Sequence, residues 1–323
     1  METIESIIKA IRKFERFLIT SHMNLEGDSL GSQLAMANLL KNLGKDFVIF
    51  DNSRVPDHYQ FLPHVKLIQH KMDIRNTRFD AAIVLDCPTL ARTGKVKEAV
   101  KKAGYIINID HHVSNERFGD LNWIEKGASS VGEMIYKLYK KLNSAITKEI
   151  ALHMYIAILT DTGSFNYSNT SSVTHEIVSE LLGYGIKPYD ISKSIYENKS
   201  PGDIKLLARV LLSLKVIENG RIAYIVVRKK LFNETKTRET ACEDIISFAR
   251  SIKGVDAAVF FREDIKKKGI FHVSFRSSKG MDVNKVAATF GGGGHKSASG
   301  CTLRGNFEEI KRKVLKRIKN ELR

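Results

Sequence analysis

The chain has 323 residues, and its 52 lysines and arginines outnumber its 36 aspartates and glutamates, which gives a formal charge of +16. Hydrophobic residues make up 43% of it, too many for a disordered protein, and no apolar run reaches the ~20 residues that cross a bilayer. The length suggests two domains. The charge favours nucleic acids, nucleotides or anionic lipids as partners, although the solvated face of a basic C-terminal helix would also explain part of it.

The first five residues, METIE, lack the basic-then-apolar order of a secretion signal. The three cysteines, Cys87, Cys242 and Cys301, lie far apart and fit neither a zinc-binding spacing nor a disulfide framework. We therefore expect a cytoplasmic protein with no membrane partner.

The first half of the chain alternates helical and strand patterns. Apolar residues at helical spacing over 4–14 precede the first of four short buried runs, which lie at 16–20, 46–50, 81–85 and 105–109. A helix is predicted over 29–43, and two consecutive helices follow the runs, over 129–142 and 147–159. Buried strands separated by helices predict βαβ units and a doubly wound parallel sheet.

The pattern changes near residue 190. Ser200-Pro-Gly-Asp203 is a strong helix start, and its helix, to about 214, is predicted to join two domains. Beyond it, a helix near 244–252 lies among strand-like runs at 222–228, 257–262, 270–276 and around Cys301, and a basic amphipathic helix ends the chain. The prediction is a parallel-sheet domain over 1–190, a linker helix over 191–214 and a smaller α/β domain over 215–323.

Acids and histidines follow the predicted strands of the first domain, at the edge where parallel sheets bind ligands. Three different strands contribute them, and in chain order they are His22, Glu26, Asp28, Asp86, Asp110, His111 and His112. Asp161 follows the helix 147–159, whose negative dipole end favours a cation. A single acid after a strand is usually a cap or turn residue, but so many together would repel one another without a cation. The sequence therefore predicts a metal site.

Mixed carboxylate and imidazole ligands suit Mn²⁺ or a similar divalent ion. Two such ions about 3.5–4 Å apart can activate a bridging water and stabilise the leaving oxygen of a phosphate ester. The sequence contains no GxxxxGK[ST] motif and no supported Ser-His-Asp or Cys-His arrangement. Hydrolysis by metal-activated water is therefore the predicted chemistry.

A run of four glycines, Gly291–Gly294, precedes His295 and Lys296 in the second domain. Glycines allow close backbone approach, and successive N–H groups can form a nest for an anion. A flexible loop is the alternative. The helix and strand patterns on either side of the run, and the nearby Arg276, favour a loop that holds a phosphate.

Together these motifs resemble those of the DHH/DHHA1 phosphoesterase family. The triplet Asp110-His111-His112 is similar to the one that names the family, and Gly291–His295 is similar to the GGGGH signature of its DHHA1 domain. Further similar segments are Asp86 with Arg92-Thr-Gly94, Asp161-Thr-Gly-Ser-Phe165, Phe118-Gly-Asp-Leu-Asn-Trp123 and Phe275-Arg-Ser277. Within the family, the short two-domain form resembles the bifunctional oligoribonucleases and 3′-phosphoadenosine-5′-phosphate phosphatases.

The resemblance implies two Mn²⁺ ions, with Mg²⁺ or Co²⁺ as substitutes. One ion would be held by His22, Glu26 and Asp86, and the other by Asp28, Asp86, His111 and Asp161, so that Asp86 bridges them. His112 would contact the scissile phosphate, Asp110 would orient its neighbours, and Arg92 would brace the triplet or a phosphate. The far nucleotide or terminal phosphate of the substrate would be held by Arg276, Ser277, Gly292, Gly293, Gly294 and His295.

The first motif departs from the family pattern. It usually reads HxNPDGD, whereas this chain has His22-Met-Asn-Leu-Glu-Gly-Asp28, with Leu25 and Glu26 in place of proline and aspartate. Glu26 keeps the carboxylate but adds a methylene, which can shift or weaken the first ion. We still expect Glu26 to be a ligand.

The expected activity is a Mn²⁺-dependent phosphodiesterase or phosphatase. Its substrates would be short oligoribonucleotides, linear dinucleotides such as pApA, 3′-phosphoadenosine 5′-phosphate or cyclic di-AMP, and the sequence does not rank them. A nucleotide- or RNA-binding module without catalysis and a pyrophosphatase are the alternatives. The remaining ligands argue against the first, and the glycine run against the second. The resemblance is also compatible with a homodimer.

Overall fold

The computed structural model describes residues 4–71, 73–74, 77–242, 245–277, 281–294 and 296–322. It divides into two compact units, Met1–Asn198 and Lys199–Arg323. The finer division at residues 190 and 214, the cytoplasmic location and the homodimer stay predictions. Among the helices of the described ranges, none is both long and apolar enough to span a membrane.

The first unit alternates strands and helices, as the sequence predicts. Its elements in chain order are α1 (Ile4–Lys13), β1 (Arg16–Thr20), α2 (Gly27–Asn42), β2 (Asp46–Phe50), β3 (Ile68–Gln69), β4 (Ala81–Leu85), α3 (Lys97–Lys102), β5 (Ile106–Asp110), β6 (Leu121–Ile124), α4 (Val131–Lys141), α5 (Lys148–Asp161), α6 (Ser172–Leu182) and α7 (Pro188–Tyr196). Short 3₁₀ segments, such as Leu90–Val96, lie between them.

The six strands of this unit form one parallel sheet in the order β3-β2-β1-β4-β5-β6. Every residue of β4 is buried, since the sheet is covered on both faces, and such strands read as continuous apolar runs. From β1 the chain proceeds to one side of the sheet and from β4 to the other. The crevice between their carboxyl ends is therefore the switch point at which such sheets bind ligands.

Two predicted bounds shift in a way that matters for the site. The strand expected at 105–109 runs over Ile106–Asp110, and Asp110 pairs with Ile124 of β6. The helix expected at 147–159 continues to Asp161. Both acids therefore belong to regular elements, whose backbone fixes their position more firmly than a loop would.

The second unit contains a mixed sheet with helices on both faces. Its elements are α8 (Pro201–Leu212), β7 (Lys215–Ile217), β8 (Ile222–Val227), α9 (Lys229–Thr235), α10 (Ile245–Arg250), β9 (Ala257–Glu263), β10 (Ile270–Ser277), α11 (Val283–Ala288), β11 (Gly293–Gly294), β12 (Ala298–Arg304) and α12 (Phe307–Glu321). The strand order is β11-β12-β10-β9-β8-β7, with only β8 and β9 parallel among the described pairs. The predicted α/β class is confirmed for both units.

Candidate metal centre

The first group of candidate ligands lies at the switch point of the parallel sheet. His22 follows β1 after one intervening residue, and Asp86 follows β4 directly. Nε2 of His22 lies 3.2 Å from Oδ2 of Asp86 and 3.2 Å from Oε1 of Glu26. His22 and Asp86 are buried, whereas the Glu26 side chain, at the start of α2, is 57% exposed. Their ligand atoms are close enough to share one ion.

Two of these facing atoms lack a hydrogen-bond partner. Nε2 of His22 and Oδ2 of Asp86 are buried, and neither makes a hydrogen bond of acceptable geometry within the described part of the chain. Such atoms are rare in folded proteins, because each loses its hydration without replacement. A cation between them would satisfy both, so the group fits a metal ion.

The other ring nitrogen of His22, Nδ1, is hydrogen-bonded to the backbone. Nδ1 accepts a hydrogen bond from the N–H of Asn24 at 3.2 Å, which places the proton of the neutral ring on Nε2. A ligating Nε2 has to give up that proton, and Nδ1 then has to carry one. We therefore expect the Asn24 contact to lengthen when an ion binds.

A second group of candidate ligands faces the other oxygen of Asp86. Nε2 of His111 lies 3.4 Å from Oδ2 of Asp161, 3.8 Å from Oδ2 of Asp28 and 3.8 Å from Oδ1 of Asp86. Oδ2 of Asp86 is turned toward His22, and its Oδ1 toward His111. This division suits a carboxylate that offers one oxygen to each of two ions.

The backbone at Asp86 is strained. Its φ of 53° lies in the left-handed region, where non-glycine residues are uncommon and aspartate is among the better tolerated. Its N–H donates to the carbonyl of Ile109 in the neighbouring strand, which holds the turn in place. Strain of this kind concentrates at functional sites, and here it keeps the Asp86 carboxylate between the two ligand groups.

The rings of the triplet are oriented by hydrogen bonds at Nδ1. Nδ1 of His111 donates to the carbonyl of Ala128 at 3.1 Å, which leaves the lone pair of a neutral ring on Nε2, among the carboxylates. Nδ1 of His112 donates to Oδ1 of the buried Asp110 at 2.7 Å. The same oxygen accepts from the backbone N–H groups of His111 and His112. The geometry thus agrees with the predicted orienting role of Asp110.

Asn115 supports Asp110, although it was not among the predicted site residues. Its Nδ2 donates to Oδ2 of Asp110 at 2.6 Å and to Oδ1 of Asn108 at 2.8 Å. Nδ2 of Asn108, inside β5, donates in turn to the carbonyls of Val84 and Cys87 at the end of β4. One available signal was Asn108 itself, because a polar side chain in a buried strand needs partners.

Asp28 has two roles in the structure. Its oxygens accept from the backbone N–H groups of Val131 and Gly132 at 2.8 and 3.0 Å, where α4 begins, and from the hydroxyl of Ser32. A carboxylate at a helix N-terminus is stabilised by these otherwise unpaired donors. Asp28 therefore ties α2 to α4 and also faces His111.

The clustered charges displace the pKa values of these groups when no cation is present. Burial lowers the pKa of His22, but the carboxylates of Asp86 and Glu26 outweigh it and raise this pKa to about 10. Burial, together with the charges of Asp86 and Asp161, raises the pKa of Asp28 well above its usual range. The pKa of Asp161 is also raised, by burial first. A cation among these carboxylates would relieve the repulsion that raises the pKa values of Asp28 and Asp161.

The other predicted residues lie outside this cluster or in the second unit. Arg92 is in the 3₁₀ segment after β4, and its carbonyl accepts from the N–H of Met23, which ties the His22 loop to that segment. Arg276 lies on β10, where its Nη1 donates to the carbonyl of Phe275. The Ser277 hydroxyl donates to the carbonyl of Met281 at 2.7 Å, so it already serves the fold. The predicted substrate contacts of these residues stay predictions.

The glycine run connects α11 to β12, and close packing requires glycine at two of its four positions, Gly292 and Gly294. A Cβ on Gly292 would lie 2.2 Å from the carbonyl oxygen of Gly300, and Gly293 and Gly294 pair with β12. The N–H groups of Gly291 and Gly292 donate to carbonyls of α11. The N–H groups of Gly291 and Gly292 thus already serve the fold, and the anion nest stays a prediction. His295 lies outside the described residues.

Comparison with known proteins settles the family. The model of the DHH family, N-terminal domain, matches residues 16–158, and that of the DHHA1 domain matches residues 219–322. A Thermus thermophilus protein named bifunctional oligoribonuclease and PAP phosphatase NrnA is 30% identical, over all of this chain and 94% of its own length. The chain belongs to the DHH/DHHA1 phosphoesterase family.

Further relatives of this DHH/DHHA1 protein match over nearly the full length. A Bacillus subtilis protein of the same name is 27% identical over 92% of both chains. A solved structure of an exopolyphosphatase-related protein from Bacteroides fragilis has a TM-score of 0.92 and 28% identity, over 98% of this chain and 95% of that one. As a DHH phosphoesterase, the chain is a metal-dependent hydrolase of phosphoric esters, and its first unit contains a cluster of side chains suited to a metal.

Proposed function

We propose that this phosphoesterase hydrolyses short oligoribonucleotides and linear dinucleotides of the pApA type, and removes the 3′-phosphate of 3′-phosphoadenosine 5′-phosphate, with two Mn²⁺ ions. The observation that carries the proposal is that the two carboxylate oxygens of Asp86 face different ligand groups. Its Oδ2 lies 3.2 Å from Nε2 of His22, and its Oδ1 lies 3.8 Å from Nε2 of His111. The names of the Thermus and Bacillus relatives support oligoribonucleotides and 3′-phosphoadenosine 5′-phosphate as substrates.

The proposed ligand sets follow these two groups. His22, Glu26 and Asp86 would hold one ion, and Asp28, Asp86, His111 and Asp161 the other. When bound, such ions lower the pKa of a bridging water and offset the charge that develops on a phosphate ester. Burial of Asp28, Asp86 and His22 keeps bulk water away from these ligands, which strengthens their attraction for a cation.

The remaining roles fall to neighbouring side chains. His112 would contact the scissile phosphate, because its ring is held at Nδ1 by Asp110 beside Oδ1 of Asp86, 3.5 Å away. Arg92 would stabilise the triplet or a phosphate oxygen through its permanent charge. In the second unit, the residues proposed to hold the far nucleotide are the predicted ones, Arg276, Ser277, Gly292, Gly293, Gly294 and His295.

The test is an assay of purified, Mn²⁺-loaded protein against pApA, a five-residue RNA, 3′-phosphoadenosine 5′-phosphate, cyclic di-AMP and pyrophosphate. We expect AMP from pApA, mononucleotides from the RNA and phosphate from 3′-phosphoadenosine 5′-phosphate. The Asp110→Ala/His111→Ala double variant should lose all of these activities and stay folded. Glu149→Gln, at an exposed site on α5, is the matched control and should retain them.

Two outcomes would contradict the proposal. If the metal-loaded protein binds the dinucleotide but releases no product from any substrate, the chain is a binding module. If it cleaves pyrophosphate alone, it is a pyrophosphatase. Cleavage of cyclic di-AMP would extend the proposed range to a ring that offers no free end.

A further inference from the structure

The turn after Asp161 is held in an unusual backbone conformation. Gly163, Ser164 and Phe165 have φ values of 54°, 57° and 66°, so three consecutive residues lie in the left-handed region. Only glycine adopts this conformation without steric cost. Two strained residues in succession persist only where their surroundings impose the conformation, and such segments concentrate at functional sites.

Hydrogen bonds and ring contacts impose the strain. The N–H of Ser164 donates to the carbonyl of Leu159 at 2.8 Å, and the N–H of Phe165 donates to the Thr162 hydroxyl at 3.1 Å. The Phe165 ring contacts the rings of Tyr155 and His175. Together these contacts fix the turn against the end of α5.

The strained turn positions two exposed tyrosines. A Cβ on Gly163 would lie 2.4 Å from the Tyr167 ring, so this ring lies directly over the glycine. The Ser164 hydroxyl donates to the Tyr196 hydroxyl, at the end of α7, at 3.1 Å. Even so, Tyr167 is 53% exposed and Tyr196 is 42% exposed. Both rings are thus anchored while much of their surface faces solvent.

The turn that contacts both tyrosines begins directly after a candidate ligand of the metal centre. Gly163 is two residues beyond Asp161, so their Cα atoms are at most about 7.6 Å apart. Nδ2 of Asn169 donates to the carbonyl of Asp161 at 3.1 Å, which closes the loop against the candidate ligand. In a nucleotide only the sugar separates the base from its phosphate. A phosphate at the metal centre would therefore place its base near this turn.

We propose that Tyr167 and Tyr196 form a stacking subsite for the nucleobase adjoining the phosphate at the metal centre. The subsite rests on the proposed function, since it presumes a nucleotide substrate. Stacking on an aromatic ring accepts every base, because each base has a π face. The subsite would thus favour nucleotides over other phosphate esters and discriminate little among sequences.

The test compares Tyr167→Ala with the wild type on two substrates. One is pApA, and the other is the same molecule without the base proposed to stack on the tyrosines. Loss of stacking on one base should lower kcat/KM for pApA by about 5- to 150-fold, mainly through KM. The substrate without that base should be hydrolysed equally by both proteins. Tyr167→Phe and Tyr167→Trp should keep near-wild-type values, because they keep the ring, and Tyr196→Ala should act in the same direction as Tyr167→Ala.

Tyr189→Ala is the matched control, since Tyr189 is 68% exposed at the opposite end of α7. It should leave kcat/KM for both substrates unchanged. Equal losses on the two substrates in Tyr167→Ala, or no loss on either, would overturn the subsite.

A direct binding measurement separates this inference from the proposed function. A dinucleotide that contains 2-aminopurine is mixed with each protein in a stopped-flow instrument, and its fluorescence is followed before the first turnover. Wild-type protein should quench the base, and Tyr167→Ala should quench it less and bind it more weakly. If the wild type quenches the base but hydrolyses nothing, the proposed function fails and the subsite stands. If it hydrolyses pApA and both proteins quench equally, only the subsite fails.

Discussion

Two buried aspartates follow strands of the same parallel sheet, and their surroundings differ. Asp51 follows β2 and Asp86 follows β4, and their exposed fractions are 0% and 2%. Oδ1 of Asp51 accepts from the Thr20 hydroxyl and the N–H of Ser21, each at 3.1 Å, and its Oδ2 accepts from Nε2 of Gln33 at 3.0 Å. All of these donors are neutral groups of the fold, so Asp51 has its partners without a cation.

Asp86 instead faces ionisable groups on both sides and has an oxygen without a hydrogen bond. Its Oδ2 faces His22, its Oδ1 faces His111 and His112, and Asp28 adds a second carboxylate charge. The histidines hold the pKa of Asp86 below its usual value despite burial. For Asp51, burial prevails over its hydrogen bonds and raises the pKa to about 6. The comparison shows that an acid at a strand end becomes a candidate ligand through unsatisfied atoms and charged neighbours, more than through its position.

Removing one charge at each position is the strongest test of this difference. Asp86→Asn should lower kcat/KM on pApA by on the order of a thousandfold, about 4 kcal/mol of transition-state stabilisation, because asparagine has no negative charge and keeps only one of the two oxygens that face the two ligand groups. Metal content, measured by elemental analysis after gel filtration, should fall as well. Asp51→Asn is the matched control and should keep its metal and stay within a few-fold of wild-type activity. Equal losses of activity and metal in the two variants would show that both acids affect activity by supporting the folded structure and that Asp86 has no special role as a ligand.

The second prediction concerns stability and uses Asp51 alone. Its pKa of about 6 in the folded chain exceeds the ~3.9 of an unfolded aspartate, so the folded form binds this proton more tightly. The free energy of unfolding should therefore fall as pH rises from about 4 to about 6, by about 3 kcal/mol from this group. Urea unfolding in EDTA should show that loss in the wild type relative to Asp51→Asn. A difference between the two proteins that stays constant from pH 4 to pH 7 would mean that the pKa of Asp51 is not raised.

Four of the six strands in the parallel sheet were predictable, because sheets covered on both faces are built from continuous apolar runs; the short β3 and the mixed-polarity β6 were not predicted. The bounds predicted for β1, β2 and β4 match the structure, and the prediction for β5 is displaced by one residue. That displacement has a physical origin, since the last residue of β5, Asp110, is polar and no apolar pattern includes it. Asp86 was predicted as a ligand because ligands bind beyond the carboxyl ends of parallel strands. Asp51 also follows an apolar run, but it was not among the predicted residues.

Most of the site features that the sequence did not predict are contacts between residues far apart in the chain. The carboxylate of Asp28 accepts from the N–H of Val131, 103 positions away, and local periodicity contains no trace of such a bond. The same limit hid the link from Asn115 to Asp110. Gly292 is a third example of such a contact. A glycine is needed there because the backbone of Gly300 lies beside it, and strand pairing alone makes these two residues neighbours.

The smallest expected effect belongs to Glu26, which shares a ligand group with Asp86 but lies at its exposed rim. Its side chain is 57% exposed, so water replaces a lost oxygen there at lower cost than it would beside Asp86. Glu26→Ala should weaken the affinity for one ion about tenfold, and Glu26→Asp should recover part of the loss, because both residues supply a carboxylate. Titration of metal-free protein with Mn²⁺ gives both affinities. Unchanged metal content and rate in Glu26→Ala would remove Glu26 from the ligand set and leave His22 and Asp86 as the protein ligands of that ion.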